Sequence, residues 1–303
     1  MGTFGSDYVI ITDASVDIDL DIAMAGGLKI IPMSFSIGDQ MKTFSGVLSQ
    51  SDYMDFYYGQ RQGDFTKTSK ITAEDFEKYF RAFAKKGQSV LYISLSSGLS
   101  ESYDAALTAR KTVVIEYPDI EIKVVDSLSA TGGMGIYVER AIRNRAEGMT
   151  IDENYKYLNM MHNHVHIWFF VQDLGYLKRG GRISAAKSLV GSMLNIKPVL
   201  MVNEKGELVS YKNARGIDNA KNIIFELFKE HYENVDDPIY IIDADATSDA
   251  DDINELINRF NPCGEIRRRT LTPIIGAHTG PGIVAVCHLG KKYHSKEQSK
   301  NKK

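Results

Sequence analysis

Four strand-like runs, residues 8–12, 29–35, 88–94 and 120–125, recur through the first 150 residues, the first of them continuously apolar. Each is followed by a stretch with helical spacing. Runs that are apolar throughout, rather than alternating, belong to strands buried on both faces, and a strand–helix–strand order connects parallel neighbours. The helical stretches cover 18–25, closed by Gly26-Gly27, then 48–60, and one opening at Thr72-Ala-Glu-Asp75 with capping-box spacing and ending at Gly87. Two more run through Val113 and over 132–147. The first half therefore predicts a parallel sheet with helices on both faces.

The second half predicts a mixed α/β unit. A helix over 151–164 leads to a strand at 167–171, and strands at 197–203 and 207–210 flank Glu204-Lys-Gly206 as a hairpin with a glycine turn. A helix over 219–232, a strand at 238–243 and a helix over 249–260 follow. An edge strand at 265–271 and a glycine-rich turn, Gly276-Ala-His-Thr-Gly-Pro-Gly282, lead into a last apolar run over 283–289. The expected division is 1–150 and 151–290, with a basic, polar tail over 291–303 expected to be disordered. A chain of 303 residues, 43% hydrophobic and 25% charged, suffices for two soluble cores.

A net charge of −3 argues against nucleic acid or an anionic membrane surface as the main partner, and no stretch approaches the roughly 18 apolar residues of a spanning helix, so stable membrane insertion is not expected. Cys263 and Cys287 stand far apart without metal-ligand spacing, which suits a reducing compartment. The start, Met1-Gly-Thr-Phe-Gly-Ser-Asp7, has neither the basic region nor the apolar core of a signal peptide. The expected location is cytoplasmic.

In an open parallel sheet, ligands collect at the carboxyl ends of the strands. The residues expected there are Asp13 and Ser15, Thr68 and Ser69, Ser94, Ser96, Ser97 and Ser100, and Asp126 and Ser127. Each serine alone reads as a helix cap. Together with helix-start amides, the hydroxyls form a set that donates to an anion without changing protonation. No nucleophile stands beside a base, and no metal set is apparent. His278, between Gly276 and Gly280, reads equally as a turn histidine and as a donor to a hydroxyl or anion. In Asp173-Leu-Gly-Tyr-Leu-Lys-Arg-Gly-Gly-Arg-Ile-Ser184, Arg179 and Arg182 flank paired glycines. That sets guanidinium forks at a chain reversal, where carboxylates or phosphates are gripped, or else ends a helix with two solvated arginines. Arg215 sits in a similar context, Asn213-Ala-Arg-Gly216. His231, His288 and His294 belong to no motif. The acidic run from Asp243 to Asp252 lacks the glycine and terminal glutamate of a calcium loop and reads as a helix start.

Taken in order, several motifs resemble the DegV family of bacterial fatty-acid-binding proteins. They are Ile10-Ile-Thr-Asp-Ala-Ser15, Thr68-Ser69, Ile93-Ser-Leu-Ser-Ser-Gly-Leu-Ser100, Val125-Asp-Ser127, the Asp173–Ser184 segment, Leu194-Asn-Ile-Lys-Pro198, Ala214-Arg-Gly216 and Gly276–Gly282. The chain departs from the family pattern at Lys70-Ile71, where Gln-Pro is usual, and at Glu101-Ser102, where Gly-Thr is usual.

The resemblance implies a two-domain α/β protein that buries one fatty acid, palmitate- or oleate-like, between its domains. It implies no cofactor, no metal and no catalysis by this chain alone. A separate fatty acid kinase would receive the bound acid and make the acyl phosphate. Thr68 and a serine of the Ser97/Ser100 region would hold the carboxylate, supported by His278, while Arg182 and Arg215 would face the kinase or the phosphoryl group. Phe35, Met134, Ile183, Leu189, Met193 and Leu194 become candidates for the tunnel wall. Each buried methylene contributes about 0.8 kcal/mol, so a long chain supplies on the order of 10 kcal/mol before ordering losses. A rival reading makes the chain a kinase or phosphotransferase subunit using His278, although no Gly-rich loop ending in Gly-Lys-Ser/Thr occurs.

Overall fold

The computed structural model describes residues 8–182, 196–233 and 235–293. The first half runs β1 (Tyr8–Asp13), α1 (Leu20–Ala25), β2 (Lys29–Ile31), β3 (Met33–Ile37), β4 (Gln40–Phe44), α2 (Gln50–Arg61), β5 (Thr66–Thr68), α3 (Ala73–Ala84), β6 (Ser89–Ser94), α4 (Ser102–Glu116), β7 (Ile122–Asp126) and α5 (Thr131–Ala146). The second continues with α6 (Ile151–Met160), β8 (Val165–Phe170), α7 (Leu174–Arg179), β9 (Ile196–Val202), β10 (Leu208–Arg215), α8 (Ile217–His231), β11 (Ile239–Asp243), α9 (Thr247–Phe260), β12 (Ile266–Thr270), α10 (Pro273–Thr279) and β13 (Val284–Leu289).

Strands β2-β1-β6-β7 form the expected all-parallel sheet. Helices α3 and α4 pack together against β6 and β7, and α5 and α6 form a second pair over the sheet. Phe76 and Phe80 of α3 meet Tyr92 of β6 ring to ring, and Thr72 caps α3 through the capping box with Asp75. The second sheet is mixed, in the order β10-β9-β8-β13-β11-β12, with only β11 and β12 parallel. Residue alternation divides its two faces. Trp168, Phe170, Val199, Met201, Ile241 and Val286 join α8 and α9 in one core. Ile167, Phe169, Leu200, Tyr240, Ala285 and Cys287 turn to the other core, shared with the first half.

The structure corrects three local expectations. The run over 29–35 is not one strand. Pro32, which has no N–H to give a ladder, separates β2 from β3, and β3 belongs to a third, antiparallel sheet, β4-β3-β5. Thr68 therefore ends a short antiparallel strand rather than a strand of the parallel sheet. The glycine-rich turn around His278 is largely helix α10, with Pro273 in its first turn. Beyond β13, Tyr293 is buried against Trp168, so the chain stays packed through that residue. Residues 294–303 lie outside the described ones.

The second core holds a cluster that no motif announced. The rings of His166 and His288 stack at 5.0 Å, and His231 lies 5.1 Å from His166. Trp168 Nε1 donates to His288 Nε2 at 3.3 Å. Burial pushes the His288 imidazole down to about 4. Its unfolded counterpart binds a proton near pH 6.5, so this site contributes stability above pH 6.5 that is lost progressively as pH falls towards 4. Asp17 acts in the opposite sense, because burial raises its carboxyl to about 7. The informative measurement is therefore the difference between the wild type and His288→Gln in urea unfolding. Between pH 7 and pH 5 the wild type should lose about 2 kcal/mol more than the variant. Parallel pH profiles would remove His288 as the cause.

Candidate functional site

A cavity of about 230 Å³ lies between the two halves. Its apolar wall comes from Met33, Leu95 and Leu99 on one side and from Ile167, Phe169, Leu177, Leu271, Ile274 and Ala285 on the other. Ile167, Phe169 and Ala285 are the inward positions of β8 and β13, set there by strand alternation. One end is polar. Thr68, Ser69 and Lys70 at the end of β5, Ser100, His278 of α10 and Arg182 all border the cavity.

Thr68 and His278 are 210 residues apart in sequence, yet Thr68 Oγ1 lies 2.8 Å from His278 Nε2. The small third sheet and α2 bring them together by docking on α10. Tyr57 donates its hydroxyl to Leu271 O at 2.7 Å. Gln60 Nε2 donates to Gly276 O at 3.0 Å, and Thr66 Oγ1 to Ala277 O at 3.0 Å. Burial, with the Arg182 charge adding to it, pushes the His278 imidazole down to about 4. The ring is thus neutral at pH 7, with one nitrogen a donor and the other an acceptor.

The paired glycines serve this histidine. A Cβ on Gly180 would stand 2.7 Å from His278 Nδ1, so only glycine lets the end of α7 approach the ring. Gly181 has φ +70, a conformation that other residues rarely adopt. Arg182 then reaches across, its Nη1 donating to Gly180 O at 2.6 Å.

The remaining expected residues fall as follows. Ser100 borders the cavity, its Oγ 3.0 Å from Ser102 Oγ. Ser97 is exposed and not among the lining residues; its backbone N–H donates to Asp126 Oδ1 at 3.1 Å. Ser96 is buried, donating to Gly206 O. Asp13 is a structural pin that accepts from the Ser15 and Leu95 amides and from the Tyr92 hydroxyl. Arg215 is exposed at the end of β10 and borders a separate groove beside α8. Phe35 and Met134 are core residues outside the lining, and Ile183, Leu189, Met193 and Leu194 lie outside the described residues. Lys70 and Glu101, the two departures from the family pattern, form an ion pair that joins the two loops at the polar end. Sequence reasoning also missed Asp17, which accepts from the Thr131 hydroxyl and from the Thr272 amide at 2.9 Å and so ties the two halves together beside the cavity.

Residues 7–291 match the family described as "Uncharacterised protein, DegV family". A DegV domain-containing protein of Clostridium perfringens is 34% identical over 290 residues, covering 93% of this chain and 97% of its own. Among solved structures, a DegV lipid binding protein from Thermotoga maritima is 27% identical with a TM-score of 0.77, covering 95% of this chain and all of its own. A second Thermotoga maritima protein, whose structure is described as revealing fatty acid binding function, is 26% identical with a TM-score of 0.76, covering 94% and 100%. A family protein from Ruminococcus gnavus, solved with vaccenic acid, matches the fold with a TM-score of 0.83 at 21% identity, covering 93% and 100%.

Proposed function

The chain belongs to the DegV family, and from that premise we propose that it binds one long-chain fatty acid, palmitate- or oleate-like, in the cavity between its halves. The observation that carries this reading is an apolar cavity ending at the Thr68–His278 pair. Apolar walls from residues 1–150 and 151–290 enclose the chain, and Thr68, Ser100 and His278 hold the carboxylate. Neutral hydroxyls and a neutral imidazole suit this role, since burial of the tail supplies most of the affinity. Fatty acid binding by one Thermotoga maritima relative, and lipid binding by the other, support the reading.

The bound acid is then presented to a separate fatty acid kinase, and the chain itself does no chemistry. Arg182 and Arg215, both exposed, are the residues for that partner or for the phosphoryl group. The carrier works in the cytoplasm on this reading; no helix among the described residues is long and apolar enough to cross a membrane.

Mass analysis of an organic extract of the purified protein should return a fatty acid in a near one-to-one ratio. Thr68→Ala should weaken palmitate binding by about tenfold to a hundredfold, the loss of one donor to a buried anion. An extract free of acyl chains, with no uptake after incubation with palmitate or oleate, would end the proposal. Phosphohistidine formed from ATP by the lone protein would instead favour the rival in which His278 carries a phosphoryl group.

A further inference from the structure

The cavity follows one face of α10. Residues 271, 274, 275, 278 and 279 border it, with the three-and-four spacing of one side of a helix. His278 therefore marks the polar end and Leu271 the other, about 10 Å away at the helical rise per residue. At the Leu271 end the wall is built around one buried carboxylate. Asp17 is 3% exposed and is not among the residues bordering the cavity. One of its oxygens, Oδ2, accepts from the hydroxyl of Thr131, the first residue of α5. The other, Oδ1, accepts at 2.9 Å from the amide of Thr272, next to Leu271. Thr131 itself borders the cavity, together with Ala130. Its φ is +49, in the left-handed region, where a β-branched residue is an outlier. Such a conformation persists only where the surrounding contacts over-determine it. Here the Thr131 amide also donates to Ser15 O at 3.2 Å. A Cβ on Gly135 would stand 2.6 Å from Asp17 O, so α5 lies directly on the loop that carries the carboxylate. Among the described residues Asp17 forms no ion pair, and the nearby Arg269 is taken by Asp19. A buried carboxyl without a paired cation is costly. What it provides is two bonds, one to each half of the molecule.

We propose that Asp17 is a positioning residue that makes the cavity select long acyl chains, by fixing the Thr131 wall at the end remote from His278. The inference rests on the acyl reading above for its ligand. A short chain anchored at Thr68 and His278 stops before that wall, whereas a long one packs along it. Without the carboxylate the Thr131 hydroxyl loses its acceptor, the residue relaxes out of the left-handed region, and the wall moves with the start of α5. The loss of affinity then depends on chain length, which a general weakening of the fold would not produce.

The test titrates octanoate, dodecanoate and hexadecanoate, each by displacement of a fluorescent fatty acid. It compares the full-length wild type with Asp17→Ala, Thr131→Gly and Thr131→Ser. Asp17→Ala should hold octanoate within about twofold of the wild type and lose about tenfold or more on hexadecanoate, with dodecanoate between. Thr131→Gly should lose along the same gradient. Glycine adopts a φ of +49 freely, so this variant carries the test where Asp17→Ala does not fold. Thr131→Ser, which restores the hydroxyl, should recover most of the loss seen with glycine. A loss equal at all three lengths would make Asp17 a structural pin and nothing more, and no loss on hexadecanoate would show that the wall is set elsewhere. Either result overturns the inference and leaves the acyl reading standing. A wild type that takes up none of the three acids removes the acyl reading, and this inference with it.

Discussion

Ala285→Phe should abolish binding of long-chain fatty acids, with a loss of at least about a hundredfold, equivalent to some 3 kcal/mol. Ala285 is an inward position of β13, 2% exposed, in the wall of a cavity of about 230 Å³. A benzyl group there has nowhere to go but into the space that the acyl chain would fill. Its neighbours in sequence, Val284 and Val286, face the other core and are undisturbed. Because the ring fills a void rather than entering a close-packed core, the thermal midpoint should be unchanged or higher. Titration with a fluorescent fatty acid, alongside a melting curve, reads both. A variant that melts like the wild type and still binds within about threefold would place the acyl chain elsewhere.

The second large effect falls on a residue that would touch no ligand. Gly180→Val should weaken fatty acid binding by about tenfold to a hundredfold, the value of a hydrogen bond to a charged acceptor. Gly180 has φ −69 and ψ −13, open to any residue, so the backbone itself does not demand glycine. The cost falls on His278, whose Nδ1 occupies the space that a Cβ would need. Displacing the ring breaks its 2.8 Å contact with Thr68 Oγ1. His278→Ala should therefore cost a similar amount, and combining the two should add little, since both remove the same interaction. Additive losses would show that the glycine serves something other than the histidine.

Much of the scaffold was legible because its strands are buried on both faces. The apolar stretches Tyr8–Ile11 and Val90–Ile93 announced β1 and β6, Val124-Val125 marked β7, and the Thr72–Asp75 spacing gave the start of α3. The third sheet was not legible. β5 has three residues, and four of the five in β4 are exposed, so neither carries an alternating pattern. Glycine density hid α10, although Pro273 was an available signal for a helix start. The importance of Thr68 and His278 came from family resemblance, since nothing local couples two residues 210 apart. Arg179 and Arg182 stood out beside their paired glycines, whereas nothing local marked Lys67, which joins Arg179 in lining one cleft only because β5 and α7 both meet α10.

The bonds from Tyr57 to the backbone just before α10, and from Gln60 and Thr66 to that of α10 itself, have a bearing on biosynthesis. The hydroxyl emerges from the ribosome long before its imidazole partner does, and the floor strand carrying Ala285 comes later still. On the proposed reading no acyl chain can be held before α10 and β13 have both been made, since the polar end and one wall of the cavity belong to them.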